Sequence, residues 1–181
     1  KEFLIIKNNG NLEIEKNQIK ELFNQKINTL DAIEFFEKAY SYFQANEYQN
    51  SIDYYFKSLQ INAEQPLAYN NIGVARYILQ DYLTAISDYN KALKLNPDFA
   101  DAYCNQGNAL LSLGRQDQAL ASYNKALELA PQHADALYNS GTLLKRMHQL
   151  PAAIQRLEAA LQVRPQHAET HNNLGNTYLA L

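Results

Sequence analysis

The sequence predicts an all-α solenoid built from helix–turn–helix units, about four repeats followed by a partial fifth. Three observations carry this. The stretch HNNLGNTYLAL at 171–181 is a near copy of YNNIGVARYIL at 69–79, and the offset is a multiple of 34 residues, a period typical of stacked helical repeats. Small residues recur at fixed columns of that period. A proline column closes most units. With Gly73 as the eighth position, the repeats fall at 32–65, 66–99, 100–133 and 134–167, with a partial repeat at 168–181.

The columns have a packing logic. The eighth position reads Ala39, Gly73, Gly107, Gly141, Gly175, and the twentieth reads Ser51, Ala85, Ala119, Ala153. Helices whose backbones approach closely need small residues at the crossing, and large neighbours must fill what is left. The twenty-fourth column, Tyr55, Tyr89, Tyr123, Leu157, supplies that bulk. Within SDYNKALKL, Tyr89, Ala92, Leu93 and Leu95 recur near helical spacing, which predicts a helix with one buried stripe. Pro97, Pro131 and Pro165 end second helices, because proline lacks an N–H and forces its predecessor out of the helical region. Pro151 instead falls at the start of a second helix, where its missing N–H is not needed. The repeat at 32–65 is divergent, with Ala39 for glycine and Ala63 for proline.

Residues 1–31 read as a separate N-terminal segment. Asn9-Gly10 lies between two apolar stretches, the strongest short hairpin signal, although a lone hairpin is marginal in water. Ile19, Leu22, Phe23, Ile27 and Leu30 then share one helical face, predicting a helix over Gln18 to Thr29 that caps the first repeat. The rival reading is one longer helix over 13–29.

Composition narrows function. The chain has 181 residues, 46% apolar and 19% charged, a soluble composition with a net charge of −3. That balance argues against a general nucleic-acid binder, which needs a basic stripe. No apolar run reaches the roughly 18–20 residues that span a bilayer, so membrane insertion is not expected. One cysteine excludes an internal disulfide and a Cys-rich zinc site. The expected compartment is cytoplasmic. No phosphate-cradling loop, nucleophile elbow or zinc-helix motif is present, so neither catalysis nor a cofactor is expected. His133 and His167 sit one repeat apart and read as exposed turn residues rather than metal ligands, because a structural zinc wants four ligands. Cys104 should face the groove as an ordinary small side chain, since only its place near a helix N-terminus would lower its pKa.

The self-alignment resembles the tetratricopeptide repeat (TPR) family, on the residues YNNIGVARYILQDYLTAISDYNKALKLNP and YCNQGNALLSLGRQDQALASYNKALELAP. The resemblance covers 32–181 and implies a right-handed superhelix of antiparallel helix pairs, its concave groove lined mainly by first helices. On that reading the chain is a protein–protein interaction module that binds an extended peptide or partner helix. The sixth column, Glu37, Asn71, Asn105, Asn139, Asn173, would face the groove. It is similar to the asparagine ladder in the repeat domain of O-linked N-acetylglucosamine transferases, which implies that Asn71, Asn105, Asn139 and Asn173 contact a peptide backbone. Asparagine is also common at this point of the repeat for structural reasons. Phe36, Tyr40, Phe43, Leu67, Val74 and Tyr77 would make the early groove apolar. Asp101, Asn108 and Leu111 would line its middle, and Asp135, Tyr138, Thr142, Lys145 and Arg146 its late part. Tyr77, Asn108, Lys145 and Arg146 join the candidate contacts, the two cations suiting an acidic group. Phe36 and Tyr40 could instead pack against the N-terminal segment. Chaperone-binding members clamp a C-terminal carboxylate with Lys and Asn four apart; this chain has Phe36 and Tyr40, or Asn70 and Val74, at those places, so a heat-shock-chaperone tail is not the expected ligand. The alternatives are a substrate-recruiting arm of a larger enzyme, such as a glycosyltransferase, and a scaffold that self-associates through its terminal helix. The final partial repeat lacks a second helix, so the expected reading is a boundary inside a longer array.

Overall fold

In a computed structural model the backbone is described for residues 2–181, and side chains for 18–22, 26 and 28–181. Every element among the described residues is helical. The chain forms two compact units, Lys1–Glu64 and Gln65–Leu181.

The first unit pairs α1 (Glu2–Gln44) with α2 (Tyr48–Ile61). Helix α1 runs unbroken through Asn9-Gly10, so the hairpin expected there does not form. A helix satisfies its backbone within its own segment, whereas two strands without a sheet to join are marginal. Residues 1–31 accordingly do not stand apart: the helix expected over 18–29 is the middle of α1, which continues into the first repeat. Ile19, Leu22 and Leu30 are 66%, 65% and 59% exposed, so they do not cap that repeat by burial; the Phe23 and Ile27 side chains lie outside the described residues. The contact with α2 includes Ala32, whose carbonyl accepts from Ser58 Oγ at 2.6 Å. It continues through Phe36, set edge-on to Tyr55 at 5.0 Å, and Phe43, edge-on to Tyr48. Phe36 is therefore held by α2. Tyr40 stays half exposed, so no N-terminal cap covers it.

The second unit stacks α3 (Pro66–Ile78), α4 (Tyr82–Leu95), α5 (Ala100–Ser112), α6 (Gln116–Leu129), α7 (Ala134–Arg146), α8 (Leu150–Val163) and α9 (Ala168–Tyr178). Each helix packs on the next, and first helices also touch one another, α3 on α5, α5 on α7 and α7 on α9. Within a pair the helices are antiparallel: Gly73 meets Tyr89, while Arg76, further along α3, is ion-paired with Asp88, earlier in α4. Pro66 and Pro151 occupy first-turn positions of α3 and α8, and Pro97, Pro131 and Pro165 each follow a second helix by two residues.

The turn between the helices of each pair is one repeated device. Asn46, Gln80, Gly114 and His148, 34 residues apart, all have positive φ (61°, 64°, 73° and 57°). The next residue's N–H reaches back five residues, Glu47 to Tyr42, Asp81 to Arg76, Arg115 to Leu110 and Gln149 to Leu144, at 2.9–3.0 Å. This is the Schellman closure, which satisfies late helix carbonyls and requires the left-handed residue. Only Gly114 adopts it without steric cost.

The core follows the columns. A Cβ on Gly73 would lie 2.5 Å from Tyr89 Cε1, one on Gly107 2.5 Å from Tyr123 Cε1, and one on Gly141 2.8 Å from Leu157 Cγ. The bulky partners are fully buried, at no more than 1% exposure. At Gly175 nothing lies within 4 Å. Ser51 departs from its column of alanines, and its buried Oγ has no hydrogen-bond partner.

Two outcomes follow. Gly107→Ala should destabilise the chain by about 1–3 kcal/mol through overpacking on the Tyr123 ring, while Gly175→Ala should gain roughly 0.5–1 kcal/mol of helix propensity. Thermal melts of the pair check this, since equal shifts would refute the contact. Ser51→Ala, which removes an unsatisfied hydroxyl, should stabilise by about 1 kcal/mol in chemical denaturation.

Candidate functional site

The first helices of the second unit line a concave cleft of about 590 Å³. The lining comes mainly from the N-terminal halves of those helices, because the same few positions of each repeat point the same way. The second positions give Leu67, Asp101, Asp135 and Glu169; the fifth give Asn70, Cys104 and Tyr138; the sixth give Asn71, Asn105 and Asn139; the ninth gives Asn108. His133 and His167 close one rim with Phe99. Among the predicted contacts, Asn71, Asn105, Asn108 and Asn139 therefore meet in one place. Asn173, Tyr77, Lys145 and Arg146 are not part of this lining. Tyr77 packs beside the buried Ala85, Tyr89 and Ala109, and onto Tyr82 at 5.4 Å. Lys145 and Arg146 sit in the last turn of α7, at the far end of that helix from the second, fifth and sixth positions that line the cleft.

The asparagine column also joins the repeats. Asn105 Nδ2 donates to Asn70 Oδ1 at 3.0 Å, Asn139 Nδ2 to Asn108 Oδ1 at 2.8 Å, and Asn173 Nδ2 to Tyr138 Oη at 3.1 Å and Thr142 Oγ1 at 3.3 Å. The amides of Asn105, Asn139 and Asn173 thus reach back to the fifth or ninth position of the preceding first helix. Asn108 Oδ1 accepts a second bond, from the buried Tyr123 hydroxyl at 2.8 Å. Asn70 Nδ2 in turn donates to Asn71 Oδ1 at 3.4 Å. These bonds orient the amides of Asn105 and Asn139. An amide carries two N–H donors and an oxygen with two lone pairs, so one such bond does not exhaust it.

The histidines differ from the sequence expectation. His133 is the N-cap of α7, and its side chain is only 12% exposed. Its Nδ1 accepts from the Ala136 N–H at 3.2 Å, which leaves the proton on Nε2 to be donated to Asp101 Oδ1 at 2.9 Å. His167 Nδ1 lies 2.6 Å from Thr170 Oγ1, and its ring stands edge-on to Tyr138. Both are polar, bonded parts of the cleft rather than exposed turn residues. Their partners sit about a repeat away or across the cap, which no local motif signals. No group of three or more potential metal ligands occurs among the described residues, and no described helix is long and apolar enough to cross a membrane. Cys104 is buried, and that burial, reinforced by Asp135 and Asp101, pushes its thiol up to about 12.

Helix pairs joined by a shared turn device, stacked at a fixed interval around a one-sided cleft, define a helical repeat protein of the solenoid class. Models of the tetratricopeptide repeat match residues 100–133 and 122–155, and a TPR-repeat model matches 75–114 and 147–181. Together they span 75–181, more than half of the chain, and the chain belongs to the tetratricopeptide repeat family. No curated protein matches it. Among solved structures it is similar to YrrB, described as a TPR protein with an unusual peptide-binding site, at 26% identity and a TM-score of 0.69, covering 83% of this chain and 77% of that one. The first TPR of Spaghetti (RPAP3), bound to the HSP90 peptide SRMEEVD, aligns at 28% identity and a TM-score of 0.64 over 66% of this chain and 95% of that one. MamA from Desulfovibrio magneticus RS-1 shares the fold at 23% identity and a TM-score of 0.74, covering 83% and 85%.

A thiol held in its neutral form by burial should resist alkylation. Cys104 is expected to react with iodoacetamide near neutral pH more than about tenfold slower in the folded chain than in denaturant. Equal rates would contradict its burial.

Proposed function

We propose that this chain is a protein-interaction module whose second unit takes an extended peptide segment in the cleft. The observation that carries this is the row of Asn71, Asn105 and Asn139 along the lining, one per repeat, with the amides of Asn105 and Asn139 already oriented by the neighbouring repeat. Fixed amides at a regular interval suit a peptide main chain, which offers N–H and C=O groups regardless of sequence, and ordering them beforehand lowers the cost of binding. The peptide-binding TPR structures similar to this chain support the reading. The residues do not favour a carboxylate-clamped acidic tail: Asn70 and Val74 stand at the clamp positions, and Lys145 and Arg146 lie outside the lining.

The end of α9 favours a second surface. The Gly175 hole is open, and Leu179 and Leu181 are 88% and 75% exposed, so a second copy could seat there. Light scattering over a concentration series reads this directly, and a strict monomer would sink it.

The peptide reading is checked by selecting binders from a random peptide library on the full chain. Affinities are then measured for the wild type and for an Asn71→Ala, Asn105→Ala, Asn139→Ala variant, with a thermal melt confirming that the variant is folded. Loss of about tenfold or more in affinity, roughly 1.4 kcal/mol, is expected. Unchanged affinity on the folded variant would make the asparagines purely structural.

A further inference from the structure

We infer that the exposed face of α1 is a dimerisation surface, on which α1 of a second copy packs antiparallel. Ile19, Leu22, Leu30, Ile33 and Tyr40 are all large and all at least half exposed. At 3.6 residues per turn they fall within about 80° of one another around the helix, so they form one stripe. Lys26 and Glu37 lie within the same arc and are exposed too. Three or four residues separate each member of the stripe from the next, 21 residues over six steps from Ile19 to Tyr40, an average of 3.5. That is the repeat of a seam along which two helices wind on each other. Helix α2 leaves the seam open. Phe35 and Tyr42 meet Tyr54, Phe36 meets Tyr55 and Phe43 meets Tyr48. The centre of that face is roughly 130° from the stripe.

Every described side chain from Gln18 to Asp31 is exposed, and Ala32 is the first buried one. Helices draw most of their stability from packing an apolar face, and this stretch has its apolar face uncovered. The two charges identify what covers it. Neither Lys26 nor Glu37 has a side-chain partner among the described residues. In a two-fold dimer, a residue that faces a second residue is faced by it in return. When Leu30 lies opposite Ile33 of an antiparallel second copy, Lys26 lies opposite that copy's Glu37, and Glu37 opposite its Lys26. One register therefore packs the central apolar residues on each other and pairs both charges. A parallel, in-register pair would instead set Lys26 on Lys26 and Glu37 on Glu37, and like charges facing each other across a seam are unfavourable. Polar residues within an apolar seam fix its register in this way. The surface is separate from the end of α9 and does not depend on the peptide cleft.

The test is light scattering on the full chain over a concentration series, with Lys26→Glu, Glu37→Lys and the charge-swapped double variant beside the wild type. Both side chains are exposed, so all variants should keep the wild-type melt. The wild type should dimerise. Each single variant places like charges at both crossings and should dimerise about tenfold or more weakly, and the double variant should regain wild-type dimerisation. Orientation is read by mixing a Lys26→Cys chain with a Glu37→Cys chain under mild oxidation. The mixture should give a disulfide-linked dimer and neither chain alone should, because the two copies of position 26 lie roughly 16 Å apart along an antiparallel seam, beyond the reach of a disulfide. A strict monomer, single variants that dimerise like the wild type, a double variant that stays monomeric, or faster linkage of either cysteine chain alone would each overturn the inference. A dimer indifferent to these charges but lost on Leu179→Ser, Leu181→Ser would also overturn it, and would place the association at α9.

Discussion

The close approach of a glycine backbone to a buried ring sets the geometry of the second unit. Gly73 under Tyr89 and Gly107 under Tyr123 bring the helices of a pair closer than any side chain would allow, and Gly141 does the same under Leu157. Because the contact recurs every 34 residues, each pair adopts nearly the same arrangement, and the first helices come into register. The Schellman turn at Gln80, Gly114 and His148 serves that contact by returning the chain along an antiparallel path.

The cleft is a by-product of this repetition. Once first helices touch in series, the second, fifth and sixth positions of successive repeats line up on one side, and whatever residues occupy them become a row. The sixth positions of α3, α5 and α7 give a row of asparagines, and the second positions of α5, α7 and α9 a row of carboxylates. The same asparagines tie each repeat to the last, so the lining is part of the inter-repeat structure as well as its surface. Tyr123 links the two levels: its ring fills the Gly107 crossing, and its hydroxyl holds the Asn108 amide that Asn139 also uses.

The first unit departs from the pattern where its residues do. Ala39 stands at the glycine column, Ser51 at an alanine column, and Tyr54, where the second unit has Asp88, Ser122 and Arg156, lies under Lys57 at 4.0 Å. Its aromatic pairs take over part of the packing, with Phe36 on Tyr55 and Phe43 on Tyr48. Helix α1 then extends well past the contact with α2, carrying exposed Ile19, Leu22 and Leu30.

Periodic features were legible in the sequence by itself: the all-helical class, the 34-residue frame, the glycine and tyrosine columns, and the placement of Asn71, Asn105, Asn108 and Asn139 on one face. Each of these depends on spacing along the chain, and helical spacing maps directly onto a face. Tertiary structure alone decided what depends on distance across repeats. The asparagine amides donate to the preceding repeat, His133 reaches Asp101 while capping α7, and the cleft ends short of Asn173, Lys145 and Arg146. It also decided the N-terminal region, where Asn9-Gly10 signals a turn locally but lies within one continuous helix. The physical reason is the same in both cases. A residue's neighbours in sequence set its preference, but its partners in space set its conformation and its chemistry.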